Sequence, residues 1–158
     1  MTLLFSGMPT ALAAAYRAHV QDANGQAPEL RVSETGGEPC RHCLGEIAAG
    51  EAFLLLAYRP FPTPQPYAEL GPVFIHAEAC PAYSPIAGLP QRERRGGGRI
   101  LRGYGSDDRI VYGTGTVVGN GDIETKTAEI LERPDVAYVH MRSAANNCFT
   151  LRIDREAT

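Results

Sequence analysis

Three thiols and one imidazole stand in two close pairs along this chain. The first pair is Cys40-Arg-His-Cys43, and the second is His76-Ala-Glu-Ala-Cys80. Thiolate sulfur and imidazole nitrogen are the ligands that tetrahedral zinc prefers. Two thiols three positions apart can converge in a turn, and residues four positions apart share one face of a helical turn. The pattern therefore predicts a zinc site formed by Cys40, Cys43, His76 and Cys80, within a metal-binding subregion spanning residues 39–81.

Several details of the site stay open at this point. The 32 residues between the pairs exceed the usual gap, and Pro81 disfavours a helical conformation at Cys80. Unligated, buried thiols are the plain alternative. Gly45 is expected to relieve the backbone where amides turn toward the sulfurs. His42 lies between the first two cysteines and is expected to point outward, although it could replace His76 as a ligand.

An open zinc site would support catalysis instead of stability. Zinc with three protein ligands can activate water, and Glu46, Glu69 or Glu78 could then act as general base. The chain contains neither H-E-x-x-H nor the H-x-E…C-x-x-C order of zinc deaminases. A structural site is therefore the preferred reading.

The C-terminal segment predicts a β-hairpin. Residues 136–142 and 148–153 both alternate apolar and polar side chains across a loop of turn-forming and small residues. The apolar sets coincide if Arg142 pairs with Cys148, which places His140 opposite Thr150.

This register would bring His140 diagonal to Cys148. A thiolate–imidazolium couple could then form, with Arg142 and Arg152 attracting an anionic ligand. These two residues are the catalytic candidates of the chain. The alternative is a half-buried face that packs under the N-terminal helix, with Cys148 as a small buried side chain.

The remaining pattern predicts short elements in one α+β domain covering residues 1–158. We expect a mixed or antiparallel sheet, two main helices and the C-terminal β-hairpin. The apolar run from Ala52 to Tyr58 predicts a central strand. The other expected elements are strands at 2–6, 73–75, 99–104 and 109–118, a helix at 10–21 burying Leu12, Ala15, Tyr16, His19 and Val20, and a helix at 122–133 burying Ile123, Thr127, Ile130 and Leu131.

Composition narrows the function classes. The net charge of -3 argues against general nucleic-acid binding, and no apolar stretch reaches the length of a membrane span. Because no export signal is evident, we expect a cytoplasmic protein with reduced cysteines. The glycines from Gly113 to Gly119 do not have dinucleotide-binding spacing.

Several landmarks resemble the domain-of-unknown-function family 1203. They are Pro39-Cys40-Arg41, Gly50-Glu51 before Leu54-Leu55-Leu56, Pro66-Tyr67 before Gly71-Pro72-Val73-Phe74, Arg102-Gly-Tyr104, and Val139-His140 followed by Cys148-Phe149. The resemblance covers residues 36–153 and implies no activity. It also implies that a cysteine matching Cys40 is commoner in the family than Cys43 or Cys80, so that zinc would belong to a subset and Cys40, Cys148 and His140 could gather at one site.

The sequence thus favours a binding module of unknown biological role, stapled by structural zinc. The alternative is a small enzyme that uses Cys148 and His140 or an open zinc site. A small anionic ligand or a protein could be the partner, the latter through the extended loop from Pro60 to Pro72 or through the arginine-rich segment that follows Ser84.

Overall fold

Eight strands form two antiparallel sheets, against which two short α-helices pack, as an α+β fold predicts. The computed structural model describes residues 1–157. The elements are β1 (Leu3–Ser6), α1 (Thr10–Arg17), β2 (Glu29–Val32), β3 (Ala52–Tyr58), β4 (Gly71–His76), β5 (Arg99–Tyr104), β6 (Thr116–Val118), α2 (Ile123–Leu131), β7 (Tyr138–Ser143) and β8 (Phe149–Arg155), with 3-10 turns at Pro85–Ala87, Gln91–Arg94 and Asn120–Asp122.

The larger sheet has the strand order β1-β8-β7-β5-β6, with the C-terminal hairpin at its centre. One face of this sheet packs against α2 through Leu101, Met141 and Leu151. The helix contributes Ile123, Thr127, Ile130 and Leu131 as its buried residues. The predicted buried face of this helix is therefore confirmed.

The smaller sheet has the order β2-β3-β4 and carries part of the Cys/His group. Its middle strand is the apolar run Ala52–Tyr58, as predicted. Pairing of β3 with β4 sets Phe53 opposite His76, the last residue of β4. The sheet thereby fixes the His76 imidazole at the end of β4, immediately before the segment that leads to Cys80.

The first helix is shorter than expected. It ends at Arg17 instead of Gln21, and it buries Ala13 and Tyr16 while Leu12 is 40% exposed. The chain turns away because Asp22 accepts a hydrogen bond from the Ala57 amide at 2.8 Å, which ties the following segment to β3. The predicted buried stripe was therefore correct at Tyr16 and partly at the half-buried Ala15. It was wrong at His19 and Val20, which lie beyond the helix and are exposed.

The predicted strand at 109–118 is also mostly absent. Thr116–Val118 pairs with β5 and Ile110 forms a single antiparallel bridge with Tyr104, but between them Gly113 adopts a φ of 86°. The buried Thr114 hydroxyl accepts the Gly103 amide at 2.9 Å and lies 2.6 Å from the Val111 carbonyl. This local network replaces the expected strand ladder with a loop.

The C-terminal hairpin forms, but the predicted register was wrong. His140 pairs with Arg152 instead of Thr150, and Arg142 pairs with Phe149 instead of Cys148. The offset of two residues keeps alternate side chains on the same face. An irregularity between Met141 and Arg142 then places two residues of one strand against one of the other.

This bulge moves Phe149 away from the predicted core. Leu151 and Ile153 stay with the core beneath α2. Phe149 instead packs with the smaller sheet, and its ring centroid lies 4.9 Å from that of His140. A change in strand pairing thus decides what surrounds His140.

Among residues 1–157, none of the helices has both the length and the apolar character needed to cross a bilayer.

Leu151→Ala tests the core beneath α2. Leu151 is 0% exposed, so we expect the free energy of unfolding to fall by about 2–5 kcal/mol. The matched control is Leu30→Ala, because Leu30 is 68% exposed on β2 and should change stability by less than about 0.5 kcal/mol. Urea denaturation measures both, and equal losses would contradict this core.

Candidate metal centre

Four ligand atoms from Cys40, Cys43, His76 and Cys80 lie within 4.8 Å of one another. The Cys40 and Cys80 sulfurs are 3.9 Å apart, and the Cys43 sulfur is 3.6 Å from Nδ1 of His76. The structure therefore brings together all four residues that the two sequence pairs suggested. The group can hold a metal ion.

A tight loop converges the first two thiols. The Cys40 amide donates to the Gly45 carbonyl, and the Leu44 amide donates to the Cys40 carbonyl, each at 2.9 Å. Leu44 takes the left-handed conformation, with a φ of 56°, and Gly45 does not. The backbone adjustment that we expected at Gly45 therefore occurs one residue earlier, at Leu44.

Backbone contacts attach this loop to β4. Cys40 forms a parallel bridge with Phe74, and the Arg41 amide donates to the Phe74 carbonyl at 2.8 Å. The His76 amide lies 3.4 Å from the Cys40 sulfur. These contacts bring the first ligand pair to the end of the strand that delivers His76.

The second pair does not share a helical turn. His76 ends β4, and Ala77 to Cys80 form a bend and an irregular segment. Pro81 is compatible with this geometry, since proline disfavours a helical residue before it. Arg17 of α1 holds the segment instead, donating to the His76 carbonyl at 3.0 Å and to the Cys80 sulfur at 3.2 Å.

Two further side chains support the ligands from behind. Glu51 Oε2 is 3.4 Å from Nε2 of His76, the nitrogen that faces away from Cys43. His42 Nδ1 is 3.2 Å from the Cys80 sulfur, and its Nε2 is 2.9 Å from the Thr10 hydroxyl. His42 is 1% exposed, so the expectation that it points outward was wrong.

No pattern in the sequence indicates that Glu51 or Arg17 contacts the Cys/His group. Glu51 immediately precedes β3, and the pairing of Phe53 with His76 carries it to the imidazole. That signal was available only with the strand register. Arg17 comes from a separate helix, and no local pattern in the sequence relates it to Cys80.

The thiols compete for charge. A hydrogen bond from the Cys43 side chain, followed by backbone amides of Cys43, His76 and His42, lowers the pKa of Cys40. The pKa of Cys43 is raised because its side chain donates to Cys40, and burial followed by the Cys40 charge raises the pKa of Cys80. A bound cation would favour deprotonation of all three thiols.

None of the three carboxylates considered as general bases belongs to the group that can hold a metal. Glu46 pairs with Arg92 at 3.7 Å, and Glu69 pairs with Arg102 at 3.0 Å. Glu78 is exposed. The carboxylate that reaches the metal-binding group is Glu51, and it contacts a ligand instead of an open position.

The structure does not bring His140 and Cys148 together. His140 is 1% exposed among the rings of Phe61, Tyr104, Tyr138 and Phe149. Its Nδ1 has no hydrogen-bond partner within residues 1–157. The Cys148 sulfur instead lies 3.6 Å from the Asn146 carbonyl. The bulge separates the two side chains that the predicted register had placed diagonally.

His140 is also unsuited to an ion pair. Burial, and then the charges of Arg142, Arg152 and Arg102, hold its pKa well below the usual value. The imidazole is therefore neutral near pH 7. Of the two arginines expected to attract an anion, Arg152 pairs with Asp154 at 2.7 Å and Arg142 with Glu69 at 3.4 Å.

His140 and Cys148 line different cavities. The first has a volume of about 680 Å³, and we call it the aromatic cavity. His42 reaches its wall from the metal side, and Arg59 is a cationic residue at its edge. Its lining includes Met8, Tyr58, Phe61, Tyr83, His140 and Phe149. Cys148 borders two other cavities, one of them together with Arg41 and Thr150.

Comparison with known proteins identifies the family. The family model described as "Protein of unknown function (DUF1203)" matches residues 37–155, so the chain belongs to this family and the resemblance is confirmed. The matched region contains all four members of the Cys/His group. No curated protein and no solved structure matches the chain.

Alkylation of Cys148 tests its separation from His140. In His140→Gln, we expect iodoacetamide to modify Cys148 at the wild-type rate, because the two side chains share no contact. Peptide mass spectrometry measures the rate near neutral pH, with His19→Gln as the control at an exposed histidine. A large decrease in His140→Gln alone would indicate a functional thiol–imidazole couple.

Proposed function

We propose that this protein is a binding module stabilised by one structural Zn²⁺, which Cys40, Cys43, His76 and Cys80 coordinate. The carrying observation is the spacing of the ligand atoms. With Zn–S bonds of about 2.3 Å and Zn–N bonds of about 2.05 Å, tetrahedral edges are about 3.8 Å between sulfurs and about 3.6 Å between sulfur and nitrogen. The two corresponding distances are 3.9 Å and 3.6 Å.

Four protein ligands favour a structural role for the zinc. A catalytic zinc keeps a coordination position for water or substrate, whereas this group supplies a complete tetrahedral set. Three thiolates and a neutral imidazole give the zinc group a net charge of −1. The Arg17 guanidinium, 3.2 Å from the Cys80 sulfur, offsets that charge.

The supporting side chains fit the same proposal. Zinc-binding histidines commonly donate their second ring nitrogen to a carboxylate, which fixes the tautomer and the ring orientation. Glu51 is placed for this role, with Nδ1 of His76 left to face the metal. His42 can donate from Nδ1 to the Cys80 thiolate while Nε2 accepts from Thr10.

Zinc would connect two irregular segments, the Cys40–Cys43 loop and the stretch from Ala77 to Cys80 that follows β4. The ligands enclose 41 residues from Cys40 to Cys80, including the proline-rich loop that follows β3. The same ion would join the Cys40–Cys43 loop to β4 and, through Arg17, to α1. Its main effect is therefore on the stability of the smaller sheet and its neighbours.

The aromatic cavity is the site that we assign to binding. Its volume of about 680 Å³ falls within the range of about 300–1,000 Å³ that is common for small-molecule sites. Most of its wall is apolar, and Pro60, Phe61 and Pro62 contribute the start of the proline-rich loop. Arg59 Nε is buried without a hydrogen-bond partner in the described chain. A small molecule with an apolar body and an acidic group matches this lining.

Catalysis is the less favoured alternative. It would require either an open zinc position or cooperation between His140 and Cys148. The complete ligand set argues against the first version, and the neutral, aromatic-packed His140 argues against the second.

Zinc binding is tested by elemental analysis of the reconstituted protein. We expect one zinc per chain in the wild type and its loss in Cys43→Ser. A loss of about 3 kcal/mol would lower the Tm of a domain of this size by roughly 6–12 °C. Cys148→Ser is the matched control and should retain both zinc and Tm. A zinc-free wild type, or a Cys43→Ser protein that binds zinc equally well, would contradict the proposal.

Binding in the aromatic cavity is tested with anilinonaphthalene sulfonate, which has an aromatic body and one anionic group. Leu12 lines the cavity and is 40% exposed, so Leu12→Trp should narrow the site and reduce probe fluorescence in the zinc-loaded protein. Leu30→Trp, on exposed β2, is the matched control. Equal fluorescence in the two variants would place the probe elsewhere.

A further inference from the structure

A second cavity has four arginines in its lining. It has a volume of about 660 Å³ and lies between the Cys40–Cys43 loop, the 3-10 turn at Gln91–Arg94 and the start of β8. We call it the arginine cavity. Its lining contains four guanidinium groups, from Arg41, Arg92, Arg95 and Arg99, and one carboxylate, from Glu93. Within this lining, positive charge therefore exceeds negative charge.

The charge of Glu93 is already committed. Its Oε2 accepts from Arg99 Nε at 2.7 Å, and both side chains are nearly inaccessible to solvent. Arg99 also donates to the carbonyls of Gly97, Gly98 and Arg95. Arg92 lies 3.8 Å from Glu93 on one side and 3.7 Å from Glu46 on the other. These contacts leave Arg41 without a carboxylate within ion-pair distance in residues 1–157.

Among the buried Arg and Glu side chains of residues 1–157, Arg41 alone has no ion pair. It is 7% exposed, and its Nε has no hydrogen-bond partner within residues 1–157. Across that range, its guanidinium also lies outside ion-pair distance of Glu93, the one carboxylate of the lining. A buried, uncompensated charge costs several kcal/mol. A folded chain that keeps a cation in such a position is expected to supply it with an anion.

Backbone hydrogen bonds on both sides of Arg41 hold the residue in this position. Its amide donates to the Phe74 carbonyl at 2.8 Å, and its carbonyl accepts from the Met8 amide at 2.6 Å. The residue also lies between Cys40 and Cys43. In the Cys40–Cys43 loop, the two cysteines therefore belong to the Cys/His group, whereas Arg41 lines the arginine cavity.

We propose that the arginine cavity binds a small tetrahedral oxyanion, such as a phosphate group, through Arg41. Arg95 is exposed at the entrance, and the nearly buried Thr150 hydroxyl adds a neutral donor. Guanidinium groups bind phosphate oxygens with paired, charge-assisted hydrogen bonds. Several donors arranged around one space suit an anion whose oxygens point in several directions.

This site is distinct from the aromatic cavity and rests on the proposed function only because zinc would order the loop that carries Arg41. The arginine–glycine segment from Arg92 to Gly97 thereby gains a role as one wall of an anion site. Cys148 borders the same space, and binding does not require any reaction at its thiol.

Calorimetric titration of the zinc-loaded protein with inorganic phosphate tests the proposal, at constant ionic strength set with chloride. We expect saturable binding in the wild type, and binding roughly tenfold or more weaker in Arg41→Met, the loss of one pair of charge-assisted hydrogen bonds. Arg31→Met is the matched control, because Arg31 is exposed and paired with Glu29 outside the cavity. It should bind phosphate as the wild type does.

Zinc content is measured in every variant, so that loss of the metal and loss of the anion are read separately. If Arg41→Met loses zinc, Arg95→Met decides, since it alters the cavity from outside the metal loop. A zinc-replete Arg95→Met with weaker phosphate binding supports the proposal. It is overturned if the wild type shows no saturable binding, if the deciding variant binds equally well, or if acetate binds more tightly than phosphate.

Discussion

The short parallel bridge between Cys40 and Phe74 is the contact on which the metal-binding group depends. It aligns a loop that carries two thiols with the strand that ends in His76, although 35 residues lie between Cys40 and His76 in the sequence. Four ligand atoms then fall within 4.8 Å of one another. Without this backbone pairing, neither the Glu51 contact nor the Arg17 contact would have a common centre to support.

The residues within the Cys40–Cys43 loop serve both of its sides. The sulfurs of Cys40 and Cys43 belong to the group that can hold a metal, and His42 contacts the Cys80 sulfur. Arg41 lies on the other side, among Glu93 and further arginines. If the proposed zinc is bound, its thiolate centre would carry negative charge on one side of this loop, and the arginine cavity carries positive charge on the other. This arrangement makes the loop a structural link between the proposed metal and anion sites.

The bulge in the C-terminal hairpin determines a second separation. It places Phe149 against His140 and leaves Cys148 next to the arginine cavity. A hairpin with the expected regular pairing would have set His140 and Cys148 on one face. His140 therefore lines the aromatic cavity, and Cys148 lines the arginine cavity.

The amino-acid sequence was enough to predict the α+β class, the apolar central strand, the buried face of α2 and the four members of the Cys/His group. These features depend on residue type, periodicity and local spacing, which are properties of neighbouring residues. The folded chain was needed to show the hairpin register, the early end of α1, the inward position of His42, and the contacts of Glu51, Arg17 and Arg41. Each of these depends on contacts between distant segments, because a hydrogen bond or an unpaired buried charge is defined by what folding places beside it.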